Sequence, residues 1–172
     1  MSRQRTRANN KRRRVAMTIL LLAVFCTPVF TAPKLTIRVT GKWQENLRAA
    51  DLTGGAGTDF VSPFESAVNE VDITISNTSS DTAPWKVEVR RIDTNWDPYL
   101  LLYVKRTSGG TGTGTISNGS TYQEVTTTDT LFFSGTGDRS KIELQFLLEG
   151  VSAGVIDADD YITEVYYTVT EL

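Results

Sequence analysis

Residues 108–115 come nearest to a phosphate-binding loop in composition, with glycine at Gly109, Gly110, Gly112 and Gly114. Such loops need a following Gly-Lys-Ser/Thr, or a Gly-x-Gly-x-x-Gly spacing that leads from a strand into a helix, so that backbone N–H groups cradle the phosphate. Neither pattern is present, and no helical periodicity begins after the segment. The segment therefore predicts a flexible loop between two strands.

Acidic side chains form a second candidate group at Asp157, Asp159 and Asp160, with Asp93 and Asp97 earlier in the chain. Because calcium takes oxygen ligands, a calcium site is one interpretation. The spacing lacks the glycine and the final glutamate of an EF-hand loop. Aspartates just before a strand commonly bond their own backbone in turns. We expect a turn, and calcium binding by this cluster stays open.

The chain contains no histidine, the commonest general base and metal ligand. His-dependent triads are therefore excluded. Serine and threonine are abundant, but no histidine is available to activate them, and a lysine-activated serine is the alternative. Two carboxylates held about 5–9 Å apart can hydrolyse a glycosidic bond, but nothing in the sequence selects one pair. We predict that the protein is not an enzyme, and we assign no catalytic residue, cofactor or metal site.

Trp96 is the candidate ligand contact. It lies in a polar turn at residues 93–98, where an exposed aromatic ring could stack on a sugar or anchor a protein partner. The alternative is that the ring caps the hydrophobic core. Trp85 differs, because it alternates in phase with Val87 and Val89 and is therefore predicted to lie in the core.

The first 32 residues have the order of a secretory signal peptide. They hold seven basic side chains and no acidic one, and the apolar run of residues 15–25 follows the basic part. This run is well short of the roughly 20 residues that span a bilayer. We expect residues 1–32 to be removed, which leaves a secreted protein, in the periplasm or at the cell surface, with no stable membrane span. A permanent anchor is the alternative.

The remaining residues, 33–172, hold 11 basic and 20 acidic side chains. Nucleic acid is a poor partner for such a domain, since binding to phosphate backbones depends on basic surface. The only cysteine is Cys26, in the leading segment. The length suits one domain that folds by hydrophobic burial without disulfides.

Apolar residues alternate with a period of two in nearly every apolar stretch, which indicates strands with one buried face. Turn-forming clusters separate these runs, so the pattern predicts an all-β sandwich or barrel. Residues 43–51 are the only helix candidate, and a short one. Residues 99–104 and 161–169 are apolar on both faces and predict central strands. The predicted strands are residues 35–40, 71–76, 85–90, 99–104, 122–128, 131–134, 142–148 and 161–169.

The first predicted strand stands apart, because about 30 weakly patterned residues separate it from the next clear strand. Its residues Leu35, Ile37 and Val39 share one face. They could fill pockets in a groove of a neighbouring molecule while the backbone of the strand extends that molecule's sheet. The alternative is that the strand pairs within its own domain.

Residues 155–170 contain a turn of small and acidic residues, then Tyr161 and a strand that ends in Thr168-Val169-Thr170. This ending resembles the close of spore coat U type and chaperone-usher pilin-like domains. The resemblance implies an immunoglobulin-like antiparallel β-sandwich exported to the cell surface, in some members polymerising by exchange of an amino-terminal strand. Pilins of this kind usually carry a disulfide near the start, which residues 33–172 lack.

Two functions from different classes follow. In the first, the protein is a secreted or cell-surface structural subunit of a fibre, coat or matrix, joined to a second copy or to another surface protein by its amino-terminal strand. In the second, it is a monomeric secreted binding module that recognises a protein or glycan through Trp96 and the loops at residues 109–114 and 135–137.

Overall fold

The computed structural model of the protein describes residues 34–54 and 57–172. The predicted signal peptide, residues 1–32, lies outside this range. Within it, no helix is long and apolar enough to cross a membrane. One 3-10 turn, Ala49–Asp51, is all that forms of the predicted helix. The strands are β1 (Thr36–Gly41), β2 (Phe64–Glu65), β3 (Val71–Ser76), β4 (Pro84–Asn95), β5 (Leu101–Arg106), β6 (Ile116–Ser117), β7 (Gln123–Glu124), β8 (Thr130–Thr136), β9 (Arg139–Glu149) and β10 (Ile162–Glu171).

The strands form two antiparallel sheets that pack against each other. One sheet has the order β1-β3-β9-β5-β7, and the short β2 also pairs with β9. The other has the order β10-β4-β8-β6. The core draws residues from both sheets. The prediction of an all-β sandwich is confirmed.

Pairing between the strands is nested, since β3 pairs with β9, β4 with β8, and β5 with β7. Within the first sheet β9 lies between β3 and β5, and within the second sheet β8 lies between β4 and β6. This winding is typical of jelly-roll sandwiches. β1 extends one sheet beyond β3, and β10 extends the other beyond β4. The immunoglobulin-like detail of the prediction is not confirmed by this order.

The prediction that residues 161–169 form a central strand is wrong. β10 pairs only with β4 and lies at the edge of its sheet. The run looks apolar on both faces because Ile162 and Tyr166 stand on the solvent side. There the guanidinium of Arg90 lies 5.2 Å from the ring centroid of Tyr166. An aromatic residue that stacks on a surface cation thus has the same sequence pattern as a second buried face.

The core is built from alternate residues of the long strands. In β3, Ile73 and Ile75 are fully buried while their neighbours are half-buried. Trp85 is also fully buried and packs edge-on against Phe133, with ring centroids 6.0 Å apart. Its Nε1 donates a hydrogen bond to the carbonyl oxygen of Gly137 at 2.8 Å, so its polar atom is satisfied. The prediction that Trp85 lies in the core is confirmed.

Candidate functional site

β1 holds most of the predicted assembly segment and lies at an edge of its sheet. It pairs antiparallel with β3, from Thr36 opposite Ser76 to Gly41 opposite Val71. The hydroxyl oxygens of Thr36 and Ser76 lie 2.9 Å apart. No strand in the described part of the chain pairs with the other side of β1. Within one chain the strand therefore occupies its own sandwich, and its use in assembly stays a prediction.

The side chains of this segment close the sandwich only in part. Ile37 lies opposite Ile75 and Val39 opposite Ile73. Leu35 and Ile37 are half-buried and pack against the core, whereas Val39 is 41% exposed. Two of the three predicted residues therefore contribute to the core, and the third lies at its rim.

β10 borders the same side of the sandwich. It contacts β1, and its inward-facing Val165, Tyr167 and Val169 are half-buried against the core that Leu35 and Ile37 also contact. The two strands belong to different sheets, so side chains alone close the gap between them. We call this side of the sandwich, formed by these five residues, the β1–β10 edge.

One polar atom at the β1–β10 edge has no hydrogen-bond partner among the described residues, the hydroxyl of Tyr167. Burial raises the pKa of this hydroxyl above its ordinary value. The ring packs near Phe132, with centroids 6.4 Å apart. A buried hydroxyl without a partner costs about 1–3 kcal/mol. The edge is therefore less stable than a fully satisfied core.

Trp43 holds the segment that follows β1. Its ring stacks on Phe146, with centroids 6.1 Å apart and ring planes 13° from parallel. Gly41, between β1 and Trp43, has a φ of +110°, and a Cβ there would overlap the carbonyl oxygen of Glu70. Only glycine permits this close approach. The prediction of a short helix at residues 43–51 overlooked this packing of Trp43. An aromatic residue directly after an isolated strand is the signal that could have found it.

Residues 44–48 connect Trp43 to the 3-10 turn. All of them are exposed and lie in no helix or strand. The turn beyond them is fixed, because the backbone nitrogen of Arg48 donates to Oδ2 of Asp51 at 2.7 Å and the backbone nitrogen of Asp51 donates to the carbonyl of Arg48 at 2.9 Å. Residues 44–48, which we call the linker, thus connect Trp43, which is packed on Phe146, to the 3-10 turn.

Trp96, the candidate ligand contact, is half-buried and packs against the core. Its Nε1 donates to the carbonyl oxygen of Leu100 at 2.9 Å. The guanidinium of Arg91 lies 5.1 Å from the ring centroid. The polar atom and one side of the ring are therefore already in contact with the protein itself. These contacts favour the alternative in which Trp96 caps the core.

The glycine-rich segment, predicted to be a flexible loop, is instead held by a buried cation. Arg139 is 9% exposed, and its Nη2 and Nε donate to the carbonyl oxygen of Gly109 at 2.7 and 3.0 Å. It also donates to Gly114. Nη1 of Arg106 donates to the carbonyl of Ser108 at 3.0 Å. The loop thus presents carbonyl oxygens to cations, which is the reverse of a phosphate-binding loop.

The alternating glycines of this loop have a steric reason. A Cβ at Gly110, Gly112 or Gly114 would overlap a carbonyl oxygen on or between β8 and β9. The loop backbone runs against that turn, with mutual hydrogen bonds between Thr111 and Ser140 of 2.7 and 2.8 Å. Glycine at every second position is the sequence signal for such an approach, which the prediction of a flexible loop overlooked.

The acidic cluster has the contacts of a turn. Oδ2 of Asp159 accepts a hydrogen bond from Nδ2 of Asn95 at 3.1 Å, and its Oδ1 accepts one from the backbone nitrogen of Asp160 at 2.8 Å. Asp93 is bound instead by Arg91 and by Thr163. Nowhere in residues 34–54 and 57–172 are three acidic, histidine or cysteine side chains placed to hold a metal ion.

A cleft of about 550 Å³ lies beside the linker. Asp59 is the only acid among its described lining residues, so no carboxylate pair for glycoside hydrolysis stands there. The backbone nitrogens of Ala153 and Phe60 and the hydroxyl of Ser152 donate to Asp59, and these bonds lower its pKa. The carboxylate therefore holds neighbouring backbone in place.

Comparison with protein-family models, with curated proteins and with solved structures found no match. The resemblance to spore coat U type and pilin-like domains therefore stays a prediction.

Proposed function

We propose that the protein is a secreted or cell-surface structural subunit of a fibre, coat or matrix, which assembles by exchange of β1 between copies. The observation that carries this proposal is the position of β1, an edge strand joined to the rest of the sandwich through an exposed linker. The export part is supported by the basic and apolar order of residues 1–32 and by the lack of cysteine after Cys26.

An opened copy has a site that fits β1. Without β1, the fully buried Ile73 and Ile75 would be uncovered and β3 would become a free edge. Free edges with apolar neighbours readily accept another strand. Because β1 of a second copy has the same sequence, it makes the same six-residue pairing with β3 that β1 makes in its own chain.

The linker allows this exchange at low cost. Contacts made by β1 and Trp43 are conserved when they move together into a neighbour, and only residues 44–48 must change conformation. These residues are exposed and lie in no helix or strand. Exchange of an identical element is a low-cost route to assembly. The unpaired hydroxyl of Tyr167 also lowers the stability that keeps the β1–β10 edge closed.

Disulfide trapping between two versions of the full chain, both carrying Cys26→Ser, tests the proposal. One version has Thr36→Cys on β1, and the other has Ser76→Cys on β3. Because the native hydroxyls lie 2.9 Å apart, a disulfide joins the two versions where β1 of one copy lies beside β3 of the other. We expect this mixed dimer on non-reducing gels, in excess over dimers of like copies.

Two further samples make the result decisive. Thr115→Cys mixed with Thr136→Cys gives the background, since these hydroxyls lie 3.4 Å apart in a region that is not expected to exchange. A single chain with both Thr36→Cys and Ser76→Cys reports pairing within one copy. Internal closure of that chain, with mixed dimer no more abundant than the background, would overturn the proposal and favour the monomeric binding module.

A further inference from the structure

The segment that contains β1 is basic, whereas the rest of the domain is acidic. Residues 34–42 contain Lys34, Arg38 and Lys42 and no acidic side chain, while residues 43–172 contain eight basic and 20 acidic ones. The cations recur at every fourth residue, and Arg38, the one that lies within β1, is on the face opposite to Ile37. All three are exposed, and none belongs to an ion pair of the described residues.

Two carboxylates face each other next to this strand. Asp72 of β3 lies directly opposite Glu143 of β9, and Thr40 of β1 lies opposite Asp72 on its other side. Like charges directly opposite in a sheet are unfavourable. One carboxylate oxygen of Asp72 is buried with no partner among the described residues. Positive charge on the neighbouring strand would offset this repulsion.

Arg38 and Lys42 are placed to supply that charge. Arg38 lies opposite Thr74, two residues along β3 from Asp72. Such diagonal neighbours are about 7–8 Å apart, within reach of long side chains. Lys42 follows Gly41, which lies opposite Val71. Arg38 thus lies diagonally across from Asp72, and Lys42 follows the end of β1 beyond Asp72.

We propose that the site on β3 selects its strand by charge as well as by shape, and that the strand it selects is β1 of a second copy of this chain. This inference rests on the proposed function. A released β1 segment carries three positive charges toward a body with a large excess of acid. Attraction of this kind accelerates encounter and suppresses strands of the wrong charge.

The charge acts on the rate of association more than on final stability. The cations make no close ion pairs in the described structure, and exposed pairs add little to stability. Long-range attraction instead depends on salt, because the screening length falls from about 30 Å at 0.01 M to about 3 Å at 1 M.

The rate at which the Thr36→Cys and Ser76→Cys versions form their mixed disulfide tests this inference, with oxidant in excess so that exchange is limiting. We expect the rate to fall about tenfold or more between low and high salt. Arg38→Gln with Lys42→Gln, placed in the Thr36→Cys version, is expected to slow the low-salt reaction several-fold and to weaken its salt dependence.

The matched control is Lys86→Gln with Arg90→Gln in the same version, which removes two positive charges from the other sheet. Its rate is expected to stay near that of the unsubstituted pair. Equal rates for the two double variants, or a rate independent of salt, would overturn the charge inference while strand exchange stands. Absence of the mixed disulfide in every sample would overturn strand exchange, and the charge inference with it.

Discussion

The two strands that border the β1–β10 edge differ in how firmly each is joined to its sheet. β10 pairs with β4 over ten residue pairs, and β1 pairs with β3 over six. Beyond β10, the backbone nitrogen of Leu172 still donates to the carbonyl of Pro84 at 2.9 Å, whereas the chain beyond β1 soon enters the exposed linker. Both strands place alternate apolar residues against one core. Of the two, β1 is therefore joined to its sheet by fewer backbone contacts.

Among substitutions near β1, we expect removal of the Trp43 ring to cause the largest loss of stability. A fully buried tryptophan loses about 3–5 kcal/mol on replacement by alanine. Since Trp43 is half-buried, we expect Trp43→Ala to lower the free energy of unfolding by about 2 kcal/mol in urea denaturation. Leu47→Ala in the linker is the control, with an expected change below about 0.5 kcal/mol. Equal losses would contradict the role of the ring.

Within β1, we expect the residue on the buried face to contribute to stability and the residue at the rim of the core to contribute little. Ile37→Ala is expected to lower the free energy of unfolding by about 1–2 kcal/mol, because its half-buried side chain packs on the core. Val39→Ala is expected to cost less than about 0.5 kcal/mol, since Val39 is 41% exposed. Thermal unfolding of both variants checks the difference, and a larger loss for Val39→Ala would reverse the assignment of faces.

On the β10 side, one substitution should increase stability. Tyr167→Phe removes the buried hydroxyl that has no partner among the described residues, so we expect the free energy of unfolding to rise by about 1 kcal/mol. The neighbouring Tyr166→Phe is the control, because that hydroxyl is on an exposed residue and donates to Oε2 of Glu164 at 2.6 Å. A loss of stability for Tyr167→Phe would mean that the hydroxyl is bonded in solution.

We expect acid to lower the free energy of unfolding slightly, because it weakens a turn that is hydrogen-bonded to both edge strands. Asp138 accepts hydrogen bonds from the hydroxyl and the backbone nitrogen of Thr78 at 2.7 and 2.9 Å, and these bonds lower its pKa from 3.8. The same turn reaches β1 through a bond from Asn77 to Thr36, and β10 through a bond from Ser79 to Glu171.

A carboxyl group with a lowered pKa in the folded state stabilises the fold above its unfolded pKa, and this stabilisation is lost as the pH falls through the folded value. We therefore expect the unfolding free energy of the native chain to fall more steeply below pH 3.8 than that of Asp138→Asn. Parallel pH profiles, measured by urea denaturation, would contradict this role of Asp138.

The strands could be predicted because alternation is a local property of the sequence. β3 and β9 both follow from it, and so does the shared face of Leu35 and Ile37. The position of a strand within its sheet is not local, which is why residues 161–169 were misplaced. Apolar residues that cover exposed cations and apolar residues that face a second layer look the same in one sequence.

The contacts that define the candidate site join residues far apart in the chain. Trp43 meets Phe146, Arg139 meets Gly109, and Asp72 meets Glu143 only after the sheets have formed. No spacing rule links the members of these pairs. The apolar residues of β1 could therefore be predicted from the sequence. The packing of Trp43 and the pairing of Asp72 with Glu143 could be seen only in the folded structure.

The nested pairing also sets the order in which the sandwich is completed. Of the three nested pairs, β5 with β7 closes the shortest stretch of chain, β4 with β8 encloses it, and β3 with β9 encloses both. Folds dominated by such non-local pairings take milliseconds to seconds to form. In a chain that emerges amino-terminus first, β1 appears earliest, yet β3 gains its second neighbour only when β9 arrives. Until then β3 has β1 as its only neighbour, so the pair of β1 and β3 is formed before the strand that joins it to the rest of its sheet.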